Sequence, residues 1–176
     1  MVDKEFLADE AKRIAMNYFK EGLNCAECVL QAIIDVGLIK DFPKDIVALA
    51  TGFGGGIGLS GNLCGALSGA VLAVSCIHGR KNPLAKENPK ERILELDGER
   101  GVYRLFNNLP REFKEQFGDV NCGKIVEPYD WQSKERRKNC HNIIGESAKL
   151  AVKWILIGNE EGFTQPFGPN VAGIQN

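Results

Sequence analysis

The stretch GLSGNLCGALSGAV, residues 58–71, joins a glycine-rich loop to a run of small side chains, with Cys64 at the junction. The apolar run that follows predicts a helix from about Cys64 to Ile77. Much of the surface of this helix carries only small side chains. Glycine inside a helix costs ~1 kcal/mol relative to alanine, so its repeated use in one helix needs a reason. We therefore expect either another backbone or a cofactor to approach this helix closely.

Asparagine directly precedes cysteine at Asn24-Cys25, Asn121-Cys122 and Asn139-Cys140, and Asn62 stands two residues before Cys64. Asparagine is a preferred helix N-cap, because its side chain accepts a hydrogen bond from a backbone N–H that is otherwise unpaired. The pattern predicts that four of the six cysteines lie at or near a helix N-terminus. Such a position favours the thiolate, because free N–H groups and the helix dipole place about half a positive charge there.

The composition is that of an ordinary soluble domain, with 176 residues, 44% hydrophobic residues and a net charge of −1. This charge predicts no nucleic-acid partner, and no apolar run reaches the ~20 residues of a membrane span. The N-terminal stretch MVDKEFLADE lacks the apolar segment of a signal peptide, so we expect a cytoplasmic protein. In a reducing cytosol, several cysteines indicate metal binding or redox chemistry rather than structural disulfides.

Helical periodicity extends over most of the chain and predicts an all-α fold, a single-domain bundle of about six helices with a glycine-rich loop before the central small-residue helix. We expect residues 1–157 to form the cysteine-rich domain and residues 158–176 to form an extended tail. One hypothesis is that this tail packs on a second subunit of a homodimer. The expected helix starts are Asn24-Cys25, Pro43, Asn88-Pro89 and Asn139-Cys140. One helix is expected to run from Ile93 through Phe106, weakened at Gly98 and Gly101.

The hexapeptide GIGLSG, residues 56–61, matches the glycine spacing of a dinucleotide-binding fingerprint. That fingerprint requires a preceding strand and an acidic residue ~20 positions later, and the sequence predicts neither. The expected role of the glycines is conformational, since they let the backbone curl and present N–H groups near Cys64. The residues that we expect to bring backbone close to a cofactor are Gly55, Gly56, Gly61 and Gly65.

Three kinds of site are compatible with these cysteines. Four thiolates at positive helix ends suit an iron–sulfur cluster. A thiol–disulfide pair would use two of them, with Cys25 and Cys64 as the expected pair. Zinc or another thiophilic metal is the third, with His78 or His141 able to replace a thiolate, although only Cys25 and Cys28 show the close spacing of zinc ligands. A fourth reading is that the cysteines are buried and bind nothing.

The segment 64–69 has the form Cys-Gly-Ala-x-x-Gly, follows a Gly-x-Asn-Cys segment at 22–25, and precedes two separated cysteines. This ordered pattern resembles the C_GCAxxG_C_C family of redox-active proteins, to which a domain of the split-Soret cytochromes is related. The resemblance implies a small, largely helical prokaryotic protein with an iron–sulfur centre. It implies Cys25, Cys64, Cys122 and Cys140 as the ligands. No C-x-x-C-H motif is present, so the covalent haem of those cytochromes is not expected.

The leading hypothesis from the sequence is therefore an iron–sulfur protein that transfers or senses electrons with a redox partner protein. Its ligands would be the thiolates of the four cysteines named above. Whether it also turns over a substrate is left open. The thiol pair and the zinc site remain the alternatives.

Overall fold

The computed structural model describes residues 3–175 and contains eight α-helices and one 3₁₀ helix within that range. The helix bounds are α1 Lys4–Lys20, α2 Cys25–Asp35, the 3₁₀ helix Lys44–Phe53, α3 Gly65–His78, α4 Pro89–Asp97, α5 Tyr103–Phe106, α6 Asn108–Phe117, α7 Cys122–Val126 and α8 Lys134–Glu161. The described residues form no strand, only an isolated antiparallel bridge between Leu63 and Asn121. The prediction of an all-α fold is confirmed, with a few more helices than the six expected.

The bundle is formed by α1, α2, α3 and α8, with α8 in contact with each of the other three. Helix α2 is apolar over most of its circumference, and its residues from Ala26 to Ile34 are almost all buried. A helix that is hydrophobic all round belongs in the interior, and α2 accordingly packs against α1, α3, α8 and the 3₁₀ helix. The 28 residues of α8 span the bundle and supply much of its core.

The small residues of α3 allow backbone to approach it closely. A Cβ at Gly69 would lie 2.6 Å from the carbonyl oxygen of Ala26 in α2, and a Cβ at Gly65 would lie 2.7 Å from the carbonyl oxygen of Phe53. Both distances are shorter than real Cβ contacts, so any side chain would push the neighbouring backbone away. The sequence predicts that either backbone or a cofactor approaches α3, and at Gly65 and Gly69 the neighbour is backbone.

The expected helix starts at Asn24 and Asn88 are observed, and the one at Asn139 is wrong. Asn24 and Asn88 cap α2 and α4 through their side chains, as predicted. The last helix begins at Lys134 instead of at Asn139-Cys140, because the Ser133 hydroxyl accepts a hydrogen bond from the Arg136 N–H and caps the helix there. Cys140 therefore lies in the second turn of α8 and not at its N-terminus.

The helix expected from Ile93 through Phe106 is divided into α4 and α5. The division falls at Gly98, which ends α4 in an extended conformation and whose N–H bonds the carbonyl of Leu94. Pro43, expected as the first helical residue of its segment, instead precedes a 3₁₀ helix that begins at Lys44. Both differences are local, because a glycine or a proline at a helix end leaves the exact boundary to tertiary contacts.

Helix α8 extends to Glu161, so the first residues of the segment expected as a tail are helical. Residues 162–175 form no helix, and they fold back onto α5 and α6 of the same chain. The Asn107 side chain holds them there, accepting a hydrogen bond from the Gly168 N–H at 2.7 Å and donating one to the Pro169 carbonyl at 3.2 Å. Packing of the tail on a second subunit remains a prediction. None of the helices in residues 3–175 is long and apolar enough to cross a membrane.

Candidate cofactor site

One cavity at an end of the bundle is lined by four of the six cysteines. Cys25 is the first residue of α2, Cys64 is the N-cap of α3, Cys122 is the first residue of α7, and Cys140 lies in α8. The rest of the lining is small or apolar and consists of Gly65, Ala66, Ile125, Val126, Ile143 and Ile144. Four separate elements thus bring to one place the four cysteines that the sequence singles out.

The cavity has a volume of about 20 Å³, which is room for about one water molecule. Within residues 3–175, no three Cys, His, Asp or Glu side chains are placed to hold a single metal ion together. A group larger than water can enter only if one wall of the cavity moves outward.

Cys25 is positioned by a complete capping box at the start of α2. The Asn24 side-chain oxygen accepts hydrogen bonds from the N–H groups of Ala26 and Glu27, at 2.9 and 3.0 Å. The Glu27 carboxylate in turn accepts one from the Asn24 N–H at 3.0 Å. Both side chains also bond to Thr51 of the 3₁₀ helix, which fixes the start of α2 against the segment before the glycine loop.

Cys64 and Cys122 are held together by main-chain hydrogen bonds. The Cys64 N–H donates to the Val120 carbonyl at 2.8 Å, and the Cys122 N–H donates to the Asn62 carbonyl at 2.7 Å. Asn121 occupies the N-cap position of α7, but its side chain caps no N–H. The prediction that asparagine side chains cap each of these helices is therefore correct at Cys25 and wrong at Cys122. There the first N–H groups of α7 donate to backbone carbonyls of the glycine loop instead.

The glycine loop contains a short left-handed turn. Gly55, Gly56, Ile57, Gly58 and Leu59 all have positive φ, between 56° and 73°. An L-residue in this conformation costs ~1–2 kcal/mol, and a β-branched residue such as Ile57 is a rare occupant. The turn is closed by backbone bonds that include Leu59 N–H to Gly54 O and Asn62 N–H to Gly56 O, both at 3.1 Å. These bonds fix the direction in which the main chain approaches Cys64.

The four glycines predicted to lie near a cofactor have different positions. Gly65 lines the cavity. Gly56 lies behind Cys122, since a Cβ added to it would lie 2.9 Å from the Cys122 Cβ. Gly61 pairs with the backbone of Gly123 next to the site, through an N–H to O bond of 2.8 Å donated by Gly123. Gly55 contacts Leu59 inside the turn and does not line the cavity.

Burial raises the pKa of all four thiols, contrary to the expectation of low values at helix N-termini. For Cys64 desolvation dominates over two opposing backbone hydrogen bonds, from Ala66 and Leu67, and raises the pKa to about 11. The pKa of Cys25 is raised still further, by burial first and then by the other thiols around the cavity. The helix end does favour the thiolate, but it does not compensate for removal from water.

Arg136 brings a positive charge to the site. Desolvation raises the pKa of Cys140, whereas the charge of Arg136 and a hydrogen bond from it lower that pKa. The same charge lowers the pKa of Cys122 against the effects of burial and of Cys140. Arg136 precedes Cys140 by four residues in α8, so both side chains lie on one face of the helix. The basic run at 134–138 stands just before Cys140 in the sequence, where positive charge favours a thiolate, but the wrong helix start concealed which of its residues faces that thiol.

The remaining cysteines and both histidines have positions away from the cavity lining. The Cys28 thiol points back toward the Leu23 carbonyl at 3.6 Å, and Cys76 lies further along α3. His78 bonds the Ile155 carbonyl at 3.0 Å, and His141 bonds the Met16 carbonyl at 3.1 Å. Neither histidine is among the residues that line the four-cysteine cavity.

The fold and the site define a helical protein in which four cysteines from distant parts of the chain surround one enclosed cavity. Comparison with known proteins agrees with this class. The family model "Putative redox-active protein (C_GCAxxG_C_C)" matches residues 23–154. A relative from Archaeoglobus fulgidus, named "Uncharacterized protein", is 31% identical over 149 residues, which is 82% of this chain and 93% of the relative. No solved structure matches the chain.

The chain therefore belongs to the C_GCAxxG_C_C family. The matched residues include all four cysteines that line the cavity.

Proposed function

We propose that this protein binds an iron–sulfur cluster through the thiolates of Cys25, Cys64, Cys122 and Cys140, and that it transfers or senses electrons through that cluster. The observation that carries the proposal is the convergence of these thiols on one cavity from four different segments. When bound, such a cluster supplies one-electron chemistry.

The donor set fits a cluster in number and in arrangement. Four cysteine thiolates are the usual ligands of both [2Fe–2S] and [4Fe–4S] clusters, which bind them through more than one iron atom. A single ion would instead require all four donors to point at one centre. The backbone hydrogen bonds that Ala66 and Leu67 donate to Cys64 are of the kind that tunes a cluster's potential.

The electrostatics support a bound cationic group over a free dithiol. Attack on a disulfide requires a thiolate, and the raised pKa values of Cys25 and Cys64 keep both thiols protonated at neutral pH. A bound metal adds positive charge at the thiols themselves and so favours the loss of their protons. In the proposed function Arg136 supplies a second positive charge from the side of Cys122 and Cys140.

The first test is an ultraviolet–visible spectrum of protein purified without oxygen, with iron, acid-labile sulfide and zinc measured on the same sample. We expect a brown protein with broad absorption near ~400 nm that bleaches with dithionite, and stoichiometric iron and sulfide. Zinc without sulfide would replace the proposal by the metal-binding alternative. A colourless, metal-free protein would direct attention to the Cys25 and Cys64 thiol pair.

The second test assigns the ligands. Each of the four cysteines is changed singly to serine, and we expect each variant to lose most of its iron while remaining folded by circular dichroism. Cys76→Ser is the matched control, because Cys76 lies in α3 but does not line the cavity. Full iron in any one of the four variants would remove that cysteine from the proposed ligand set.

A further inference from the structure

We propose that Arg136 is a positioning residue that sets the reduction potential of the four-cysteine site by holding a fixed positive charge against it. This inference rests on the proposed iron–sulfur function and assigns a role to a residue outside the cysteine pattern. Its structural basis is the position of Arg136 in α8, one helical turn before Cys140, which lines the cavity.

The Arg136 side chain is held in place by Trp131. Its guanidinium carbon lies 4.2 Å from the centroid of the Trp131 ring, a cation–π geometry that restricts the side chain on one face. The Arg136 Nε is fully buried and has no hydrogen-bond partner among residues 3–175. A buried guanidinium N–H normally has an acceptor, so this donor is available to an anionic group at the site.

The neighbouring basic residues do not duplicate this arrangement. The Arg137 guanidinium lies over the Phe19 ring, 5.2 Å from its centroid, and so faces α1. Lys134 and Lys138 are exposed on α8. Arg136 is therefore the basic residue of this run that combines a buried Nε with a position one helical turn before Cys140.

A fixed cation favours the reduced state of an anionic redox centre. Reduction adds one electron to a site that already carries the charge of four thiolates, and the electron comes from a one-electron donor, which is dithionite in the experiment below. No bond forms or breaks in this step, and no proton is needed from Arg136, because a guanidinium stays charged. The attraction is large in a buried site, where the effective dielectric constant is far below that of water.

The experiment measures the midpoint potential of Arg136→Gln, Arg136→Lys and Lys138→Gln by anaerobic dithionite titration of the loaded protein. Lys138→Gln is the matched control, since it removes one positive charge from the same helix two residues away. We expect Arg136→Gln to lower the ratio of reduced to oxidised protein about tenfold at a fixed potential, a shift of ~59 mV for a one-electron couple. Arg136→Lys should lie between this variant and the wild type, and Lys138→Gln should match the wild type.

The outcomes separate this inference from the proposed function. A wild-type protein without iron and sulfide would overturn both. Full iron in Arg136→Gln with an unchanged potential would overturn the role of Arg136 alone, and so would equal shifts in Arg136→Gln and Lys138→Gln. Loss of iron from both Arg136 variants but not from Lys138→Gln would overturn the tuning role by making Arg136 part of the binding site.

Discussion

The Cys122 N–H donates a hydrogen bond to the Asn62 carbonyl at 2.7 Å, and this bond ties the start of α7 to the loop that leads into Cys64. Two cysteines 58 positions apart in the sequence are therefore held as one unit by the main chain. Gly56 lies at the same junction, because a Cβ there would come within 2.5 Å of the Asn62 oxygen and 2.9 Å of the Cys122 Cβ. The geometry of the site thus depends on a glycine as well as on cysteines.

Gly56→Ala should separate the two cysteines. The expected loss of unfolding free energy is about 3 kcal/mol, the sum of a left-handed alanine and an overpacked contact. Iron retention should fall as well. Gly58→Ala is the control, since Gly58 has a φ of +56° but no atom within 4 Å of an added Cβ. It should lose only ~1–2 kcal/mol and keep its iron. Urea unfolding and an iron assay measure both variants, and equal iron loss in the two would contradict the prediction.

Gly69→Ala should loosen the contact between α2 and α3. The added Cβ would meet the Ala26 carbonyl oxygen at 2.6 Å, and backbone cannot rotate away as a side chain can. The gain in helix propensity is ~1 kcal/mol, whereas overpacking costs ~1–3 kcal/mol, so we expect a net loss of about 1–2 kcal/mol. Gly52→Ala, which meets no atom within 4 Å, should not reduce the unfolding free energy by more than ~0.5 kcal/mol. A Gly69→Ala protein as stable as the wild type would contradict the prediction, because α2 and α3 could then move apart without a loss of unfolding free energy.

Loading of the site should protect α7 from hydrogen exchange. A cavity of about 20 Å³ must widen to admit a cluster, and α7 is a five-residue helix with no buried residue, so it is the wall that moves most easily. Once Cys122 binds the cluster, opening of α7 requires a bond to iron to break. Exchange mass spectrometry of apo and loaded protein should show slower exchange at residues 122–126 and little change in α1. Equal exchange of α7 in both forms would count against Cys122 as a ligand.

Cys28 should contribute stability that disappears at alkaline pH. Burial raises its pKa from an ordinary value of 9.0 to about 12 in the folded protein, ahead of the smaller effect of Glu27. The folded state therefore prefers the neutral thiol, and this preference is fully present below pH 9 and is lost as pH rises toward 12. The difference in unfolding free energy between the wild type and Cys28→Ala should accordingly shrink from pH 8 to pH 11. A difference that is constant over this range would contradict the raised pKa.

Cys28→Ala should also keep its iron, because the Cys28 thiol is directed at the Leu23 carbonyl and does not line the cavity. Loss of iron from this variant with its fold intact would add Cys28 to the site. The measurement is the same iron assay used for the four proposed ligands.

The amino-acid sequence alone determined the helical class of this protein and the identity of its central cysteines. Apolar periodicity in α1, α2 and α8 is sufficient for the first, because a helix of three or more turns repeats its pattern several times. The asparagine cap at Asn24 was also readable, since a capping box is completed within four residues. These features depend on neighbours in the sequence, which is why they can be predicted.

The tertiary structure decided the features that depend on distant residues. The start of α8 at Lys134 and the pairing of Arg136 with Cys140 followed from Ser133, a cap that competed with Asn139. The backbone bonds between the loop before Cys64 and the start of α7 join segments with no sequence signal in common. Burial, which only the folded bundle creates, raised the thiol pKa values that helix ends alone would lower, because desolvation of a charge outweighs the partial charge of a helix terminus.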